Sequence, residues 1–302
     1  MEQNYDVVII GAGPAGLSAA IYAKRAMLKF VVLEKFLPGG GIAETFELEN
    51  YLGIGKVSGM EMADMMTKHV NDLNIEIKSE AVSDIEVKEK YKIVKTDKTE
   101  YSTKTIIIAT GASPRKLGCP GEDKFTGKGV SYCATCDGFL YKNKKIAVVG
   151  GGDVAVEDAI YLSRIAKKVY LLHRRDELRA VKSLQERLFK IENVEILWNT
   201  EIKSLKGEGY LQKIITINNK TNKNKKLLID GLFMAVGYIP NIDFLKDELK
   251  VNKDRWIITN NRCETNIKGI YAVGDVRDTF LRQVVTAVSD GAVAITDLMK
   301  YL

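Results

Sequence analysis

Twice in this chain an apolar strand runs straight into a glycine-rich turn and then into a helix, and that repetition constrains the fold more than any other feature. The first copy opens with Tyr5-Asp6-Val7-Val8-Ile9-Ile10, a run rich in β-branched residues with the character of a buried parallel strand. Gly11-Ala12-Gly13-Pro14-Ala15-Gly16 follows at once, Leu17 to Met27 reads as a helix, and Phe30-Val31-Val32-Leu33 reads as a second strand ending at Glu34. In that setting the glycines give a tight turn and close backbone approach, and the helix start faces a pyrophosphate. The acid closing the second strand can bond a ribose 2′-hydroxyl.

The second copy repeats the plan with one change of sign. Lys145-Ile146-Ala147-Val148-Val149 is the strand, Gly150-Gly151-Gly152-Asp153-Val154-Ala155 has the GxGxxA form, and a helix is expected over about Val154 to Ile165. Lys168-Val169-Tyr170-Leu171-Leu172 is the second strand, but where Glu34 stood there is now His173-Arg174-Arg175, with Arg179 four residues on. An acid there repels a 2′-phosphate, whereas guanidinium groups clasp one through charge-assisted bonds. The second site is therefore expected to prefer NADPH to NADH. The bland reading is a surface basic cluster, and the position, where the two dinucleotides are told apart, argues against it.

Ahead of the second copy stands Cys133-Ala134-Thr135-Cys136-Asp137. Two thiols separated by two residues can close a small disulfide and reopen it by thiolate exchange, and Asp137 can pass protons beside the second sulfur. CxxC alone also fits half a zinc site or two inert thiols. Structural zinc needs a second close ligand pair, and neither Cys119 nor Cys263 has a near partner, so no metal site is expected. His173 is assigned to the phosphate site and His69 to an exposed helix position.

The remaining segments suggest how the two copies are joined. Pro38-Gly39-Gly40-Gly41 is a turn, Gly59 to Leu73 a helix, and Ile75 to Tyr101 alternates like an antiparallel meander with one wet face. Thr105 to Gly111 returns to a buried strand, and Ala112-Ser113-Pro114-Arg115 crosses into a new unit. Asn193 to Leu205, Lys213 to Ile229 and Gly231 to Tyr238 read as strands, and Ile239-Pro240-Asn241 as the return crossing. Gly269 to Asp275 is a last apolar strand whose terminal acid can meet a ligand hydroxyl, before Arg282-Gln283 and a helix from about Val284 to Tyr301. The expected architecture is α/β: two Rossmann-like dinucleotide-binding domains, the second inserted in the first, with boundaries at 1–114, 115–241 and 242–302.

Composition excludes other classes. A net charge of +6, from 45 basic and 39 acidic residues, is too diffuse for a nucleic-acid face, and the densest basic run, Lys220 to Lys226, reads as a solvated hairpin tip. Val7 to Ala23 carries no charge, yet its glycines interrupt it short of the roughly 20 continuous apolar residues of a membrane span. Met1-Glu2-Gln3-Asn4-Tyr5-Asp6 has no basic region of the signal-peptide kind, so a cytoplasmic protein is expected.

In this order the motifs resemble those of the low-molecular-weight bacterial thioredoxin reductases over essentially the whole chain: Gly11 to Gly16, Cys133 to Gly138, Gly150 to Asp153, His173 to Asp176, and Gly274-Asp275 with Arg282-Gln283. The resemblance implies FAD in the split domain (1–114 and 242–302) and NADPH in the inserted one. It also implies a homodimer that passes electrons from NADPH through FAD to Cys133–Cys136 and on to thioredoxin. Cys136 would face the flavin, Cys133 would attack the partner's disulfide, and Asp137 would be the acid. For FAD it implicates Gly11, Gly13, Pro14, Ala15, Gly16, Glu34 and Lys35, then Gly41, Ile42, Asn50, Thr110 and Gly111. Gly274, Asp275, Arg282, Gln283 and Val284 complete that set. For NADPH it implicates Gly150, Gly152, Asp153, Val154 and Ala155, with His173, Arg174, Arg175 and Arg179. The inserted domain is expected to swing, with hinges near Pro114 and Pro240.

The chain departs from the family's pattern at Ile42, where Gly-Gly is usually followed by Gln-Leu, at Val154, which replaces a small polar residue, and at Leu52, where proline is usual. None removes a charge or a thiol. Relatives that draw electrons from ferredoxin would not need Arg174, Arg175 and Arg179, peroxide-linked relatives carry an extra N-terminal thiol domain, and others run in reverse as dithiol oxidases. A nucleotide sensor would keep its response after loss of Cys133 or Cys136.

Overall fold

The computed structural model describes residues 4–45, 48, 50–246 and 249–302, so the expectation drawn from Met1-Glu2-Gln3 lies outside the described residues. The chain divides into two compact units, one of residues 1–44, 51–113 and 239–302, the other of 45–50 and 114–238.

The first unit begins with β1 (Asn4–Ile10), α1 (Pro14–Arg25) and β2 (Phe30–Glu34). Pro14 takes the first helical position, where its missing N–H costs nothing, so the helix starts three residues earlier than apolar periodicity alone predicts. α2 (Gly59–Asp72) is closed at its start by a capping box between Ser58 and Glu61 and leads into β3 (Ile77–Ser79). β3 pairs parallel with β2, a correction to the antiparallel meander expected there: α2 is a crossover helix, which returns the chain in the same direction. β4 (Val82–Val87), β5 (Lys92–Thr96) and β6 (Glu100–Ile108) are antiparallel as the alternation predicts. β6 fuses the last meander strand with the buried run, and from Ser102 onward it pairs parallel with β1. β7 (Ala112–Pro114) is the outgoing crossing.

The second unit contains α3 (Glu122–Phe125), β8 (Val130–Ser131), α4 (Ala134–Asp137), β9 (Lys145–Val149), α5 (Asp153–Ser163), β10 (Lys168–Leu172) and α6 (Lys182–Phe189). It continues through β11 (Val194–Leu197), β12 (Thr200–Lys206), β13 (Lys213–Asn218), β14 (Asn224–Leu228) and β15 (Gly231–Met234). A parallel sheet ordered β11-β10-β9-β15-β8 carries α4, α5 and α6 on one face and the β12-β13-β14 meander, with α3, on the other. Strand alternation explains both cores: Ile146 and Val148 pack with α5, while Ala147 packs with Leu205 and Ile214 of the meander. The basic run at 220–226 proves half strand, since β14 begins at Asn224 and only the residues before it form the turn. α6 was not foreseen, being eight residues long with three of them charged.

The return crossing, β16 (Tyr238–Pro240), pairs with β7, so the two crossings form one ribbon. β17 (Ile270–Ala272) then adds parallel to β6, and α7 (Val284–Leu298) packs along α1. That packing is unusually close: a Cβ on Gly291 would stand 2.2 Å from the Ala15 carbonyl oxygen. Among the described residues no helix is long and apolar enough to cross a membrane.

Candidate active site

The first glycine turn is built by close approach. Gly11 has φ +105°, and a Cβ there would stand 2.4 Å from the Ala109 oxygen; one on Gly16 would stand 1.9 Å from the Gly11 oxygen. Gly13 differs, since its nearest neighbour across space is Gly40 Cα at 3.8 Å, which leaves the start of α1 open to a ligand's backbone-bound phosphates. Glu34 ends β2 with Oε2 accepting from the Ala12 amide (2.7 Å) and Oε1 from the Phe36 amide (2.9 Å), so its carboxylate is aimed before any ligand arrives. Lys35 lies over the Phe36 ring and is exposed, as is Gly41, while Ile42 is buried in the 3-10 turn that follows.

The C-terminal part of this unit meets that turn. A Cβ on Gly274 would stand 3.0 Å from Ala15 Cβ, which sets Gly274-Asp275 against the first turn of α1. Burial pushes the Asp275 carboxyl up to about 6, with the Arg282 charge opposing the shift and Asp290 adding to it. The Arg282 guanidinium lies 3.8 Å from the Trp256 ring centroid. Gln283 caps α7 through its amide, which donates to Thr286 Oγ1, and Val284 opens the helix. Thr110 Oγ1 donates to the Asn241 oxygen (2.7 Å), and Gly111 O accepts from the Asn241 amide (3.0 Å). Asn50 is exposed and belongs, with residues 45–50, to the second unit.

The second turn repeats the first with arginines at its rim. A Cβ on Gly150 would stand 2.5 Å from both Ala155 Cβ and the Ala235 oxygen, whereas Gly152 faces open space at the start of α5. Asp153 Oδ1 accepts from the Val181 amide (2.8 Å), and the Arg179 amide donates to Gly151 O (2.7 Å), which folds the 174–181 loop back over the turn. Arg174, Arg175 and Arg179 are exposed there, and Val154 is 61% exposed. His173 is placed differently from the three arginines. It is 5% exposed, with Nδ1 2.9 Å from Gly150 O and Nε2 2.9 Å from Glu177 O, and burial lowers its pKa. The ring lies behind the turn, and its one N–H donates to one of these two carbonyls.

Cys133 and Cys136 are joined in a disulfide, their Cα atoms 5.3 Å apart. Ser131 Oγ accepts from the Cys133 amide (3.0 Å), and the Cys136 and Asp137 amides point back at Cys133 Sγ and O. Asp137, at the end of α4, is buried. Sequence reasoning missed what holds this turn from outside. The Tyr132 hydroxyl donates to the buried Glu122 (2.8 Å), which also accepts from the Leu117 and Gly118 amides. The Tyr238 hydroxyl donates to Tyr132 O (2.6 Å). Tyr132 is thus gripped at both ends, one residue before the first sulfur. Cys119 and Cys263 are free thiols pushed up by burial to about 11 and about 12, far from the reactive range.

Two open nucleotide turns and a closed, braced CxxC disulfide define a flavin- and pyridine-nucleotide-dependent disulfide oxidoreductase. Residues 5–291 match the family model described as pyridine nucleotide-disulphide oxidoreductase. The thioredoxin reductase of Peptoclostridium acidaminophilum is 43% identical over 309 residues, covering 100% of this chain and 98% of the relative. That of Bacillus subtilis (strain 168) is 41% identical over 302 residues, covering 100% and 96%. The crystal structure of thioredoxin reductase from Streptococcus pyogenes superposes with a TM-score of 0.94 at 43% identity, covering 100% of this chain and 99% of that one. The chain belongs to the low-molecular-weight thioredoxin reductase family within the pyridine nucleotide-disulphide oxidoreductases.

Proposed function

We propose that the protein is an NADPH-dependent thioredoxin reductase whose split unit holds FAD and whose inserted unit holds NADPH and the working disulfide. The observation that carries this reading is the opposite ending of the two second strands, Glu34 on β2 and Arg174-Arg175 on β10. A carboxylate there suits a ribose hydroxyl, and exposed guanidinium groups suit a 2′-phosphate.

Bound FAD would accept an electron pair from the nicotinamide and deliver it to the disulfide. The chain's own residues do the rest. Gly13 and Gly152 leave room at the starts of α1 and α5 for the two pyrophosphates. Glu34 and Asp275 take hydroxyls of the first nucleotide, and Arg174, Arg175 and Arg179 take the phosphate of the second. The brace from Ser131, Tyr132 and Tyr238 holds the Cys133–Cys136 turn, and buried Asp137 carries protons to and from the sulfurs. Cys133 then attacks the disulfide of thioredoxin, and Cys136 resolves the mixed disulfide. The family resemblance extends this reading to a cytoplasmic homodimer.

An anaerobic titration of the FAD-loaded protein with NADPH, and separately NADH, tests it. Bleaching of the flavin at much lower NADPH than NADH, reversed by oxidised thioredoxin in the wild type but not in Cys136→Ser, is the expected result. Bleaching by reduced ferredoxin and by neither nucleotide would reassign the donor. A response to NADPH unchanged in Cys136→Ser, with no disulfide turnover in the wild type, would make the protein a sensor.

A further inference from the structure

Two turns of the antiparallel meander hold the start of the 174–181 loop. β12 pairs with β13 so that Thr200 lies opposite Asn218, which brings the β11–β12 turn and the β13–β14 turn side by side. Together they bind three successive carbonyls of the segment leaving β10. The Thr200 amide donates to His173 O (2.9 Å), the Asn219 side-chain amide to Arg174 O (2.8 Å), and the Asn199 amide to Arg175 O (3.0 Å). The outer two bonds come from backbone N–H groups, and the middle one depends on a side chain. Asn219 Nδ2 also donates to Glu201 Oε1 (2.8 Å), and its backbone N–H donates to Asn199 O (2.8 Å). Both neighbours of Nδ2 are acceptors, which settles which end of the side-chain amide is the donor.

The hairpin tip is prebuilt. Asn218 Oδ1 accepts from the Lys220 amide (3.1 Å), the Thr221 amide (2.9 Å) and Thr221 Oγ1 (3.1 Å), an Asx turn that fixes the backbone at Lys220. Lys220 Nζ forms an ion pair with Asp176 Oδ2, and this contact holds the Asp176 carboxyl below its ordinary value. Both side chains are exposed, so the pair adds little to stability. Its consequence is electrostatic. Asp176 directly follows Arg174 and Arg175, and an uncompensated carboxylate there would repel the 2′-phosphate that the arginines suit. The basic run at 220–226 thus sends its first lysine to the nucleotide loop.

We propose that Asn219 and Lys220 are specificity-determining residues for NADPH over NADH. Asn219 fixes the backbone that carries Arg174, and Lys220 cancels the Asp176 charge beside the 2′-phosphate. Both act through the loop and are positioning residues, not groups that meet the nucleotide. NADH has no 2′-phosphate and gains nothing from either. The proposal rests on the arginine loop being the 2′-phosphate site.

The test uses the FAD-loaded protein as wild type, Asn219→Ala, Lys220→Ala, Asp176→Asn and the Lys220→Ala/Asp176→Asn double variant. Binding of adenosine 2′,5′-bisphosphate and of 5′-AMP is measured by calorimetry, beside KM and kcat for NADPH and NADH. The wild type should bind the bisphosphate more tightly than AMP. Asn219→Ala should weaken the bisphosphate and raise KM for NADPH about three- to tenfold, the loss of one hydrogen bond. Lys220→Ala should do the same by about two- to fivefold. AMP binding, KM for NADH and kcat with either nucleotide should not move. The double variant should return to within about twofold of the wild type, because the two charges it removes are opposite. Equal losses for the phosphorylated and unphosphorylated ligands, or no loss in either single variant, overturn the proposal. So does a double variant as weak as Lys220→Ala, which would put Lys220 on the phosphate itself. A wild type that binds both ligands alike overturns the reading of the arginine loop instead, and this proposal with it.

Discussion

Asp290 grips Arg277 through both carboxylate oxygens, with Oδ2 2.7 Å from Nε and Oδ1 2.9 Å from Nη2, and the same Oδ2 accepts the Gly274 amide at 3.0 Å. One carboxylate on α7 therefore fixes the turn that carries Asp275. Arg277 is tied further by Nη1 to Thr259 Oγ1 (3.1 Å). Asp290→Ala leaves a half-buried guanidinium unpaired and should cost about 3–5 kcal/mol, the range for breaking a buried pair from one side. Urea unfolding gives that number, and flavin retained through gel filtration should fall in parallel.

Gly291, one residue on, sets how closely α7 lies on α1. A Cβ would also stand 2.8 Å from the Ala19 amide nitrogen, so the obstruction is backbone and cannot rotate away. Gly291→Ala should destabilise the split unit by about 1–3 kcal/mol through overpacking, despite its higher helix propensity. Thermal melts of the apo-protein would show it, and a neutral or stabilising result would contradict the close crossing.

The arginines beyond β10 predict a change of substrate preference and little change in turnover. Arg175→Ala removes a charge-assisted contact to the 2′-phosphate, of about 1.5–3 kcal/mol, and should raise KM for NADPH about 10- to 100-fold. KM for NADH should stay where it is. Equal losses for both nucleotides would mean that Arg175 supports the fold of the loop.

Asp158 and Asp275 give stability a sign with pH. Each carboxyl holds its proton in the folded state to about 7 and about 6, well above the unfolded value near 3.8. Between those values the native state binds more protons than the unfolded chain, so these groups lower stability as pH rises from about 4 to 7, and the loss is complete above that. Asp158→Asn removes the penalty of burying a charge. It should be more stable than wild type at pH 8, by at most about 4 kcal/mol (three pKa units at about 1.4 each), and no more stable at pH 4. Melts at the two pH values would decide it.

How much the sequence disclosed follows the range of the interactions. The glycine turns, Glu34 and the arginines were legible because each belongs to a strand–turn–helix module of about 30 residues, in which spacing stands for geometry. The brace on the dithiol was not, since Tyr132 is held by Glu122 ten residues back and Tyr238 over a hundred residues ahead, with no local pattern to mark either. The burial of His173 was hidden for a related reason. Its neighbours in sequence are ligand-facing arginines, but a strand end turns successive side chains to opposite sides, and the histidine is the one that points in. Asp290 left a faint trace, a carboxylate within an apolar helix, whose meaning depended on Arg277 thirteen residues before it.

The order of strands in the first sheet has a consequence for the newborn chain. β6 receives β17 along its later half, and α1 receives α7, so the unit that starts the sequence is finished only by its last residues. On the ribosome the N-terminal βαβ module must wait, its β6 edge and one face of α1 bare, while the contiguous stretch 114–238 emerges with most of its own core. The inserted unit therefore matures first and the outer one closes around its own two ends last. A nascent chain stalled before residue 270 would carry a folded arginine-rimmed turn and disulfide segment attached to an open, aggregation-prone sheet edge.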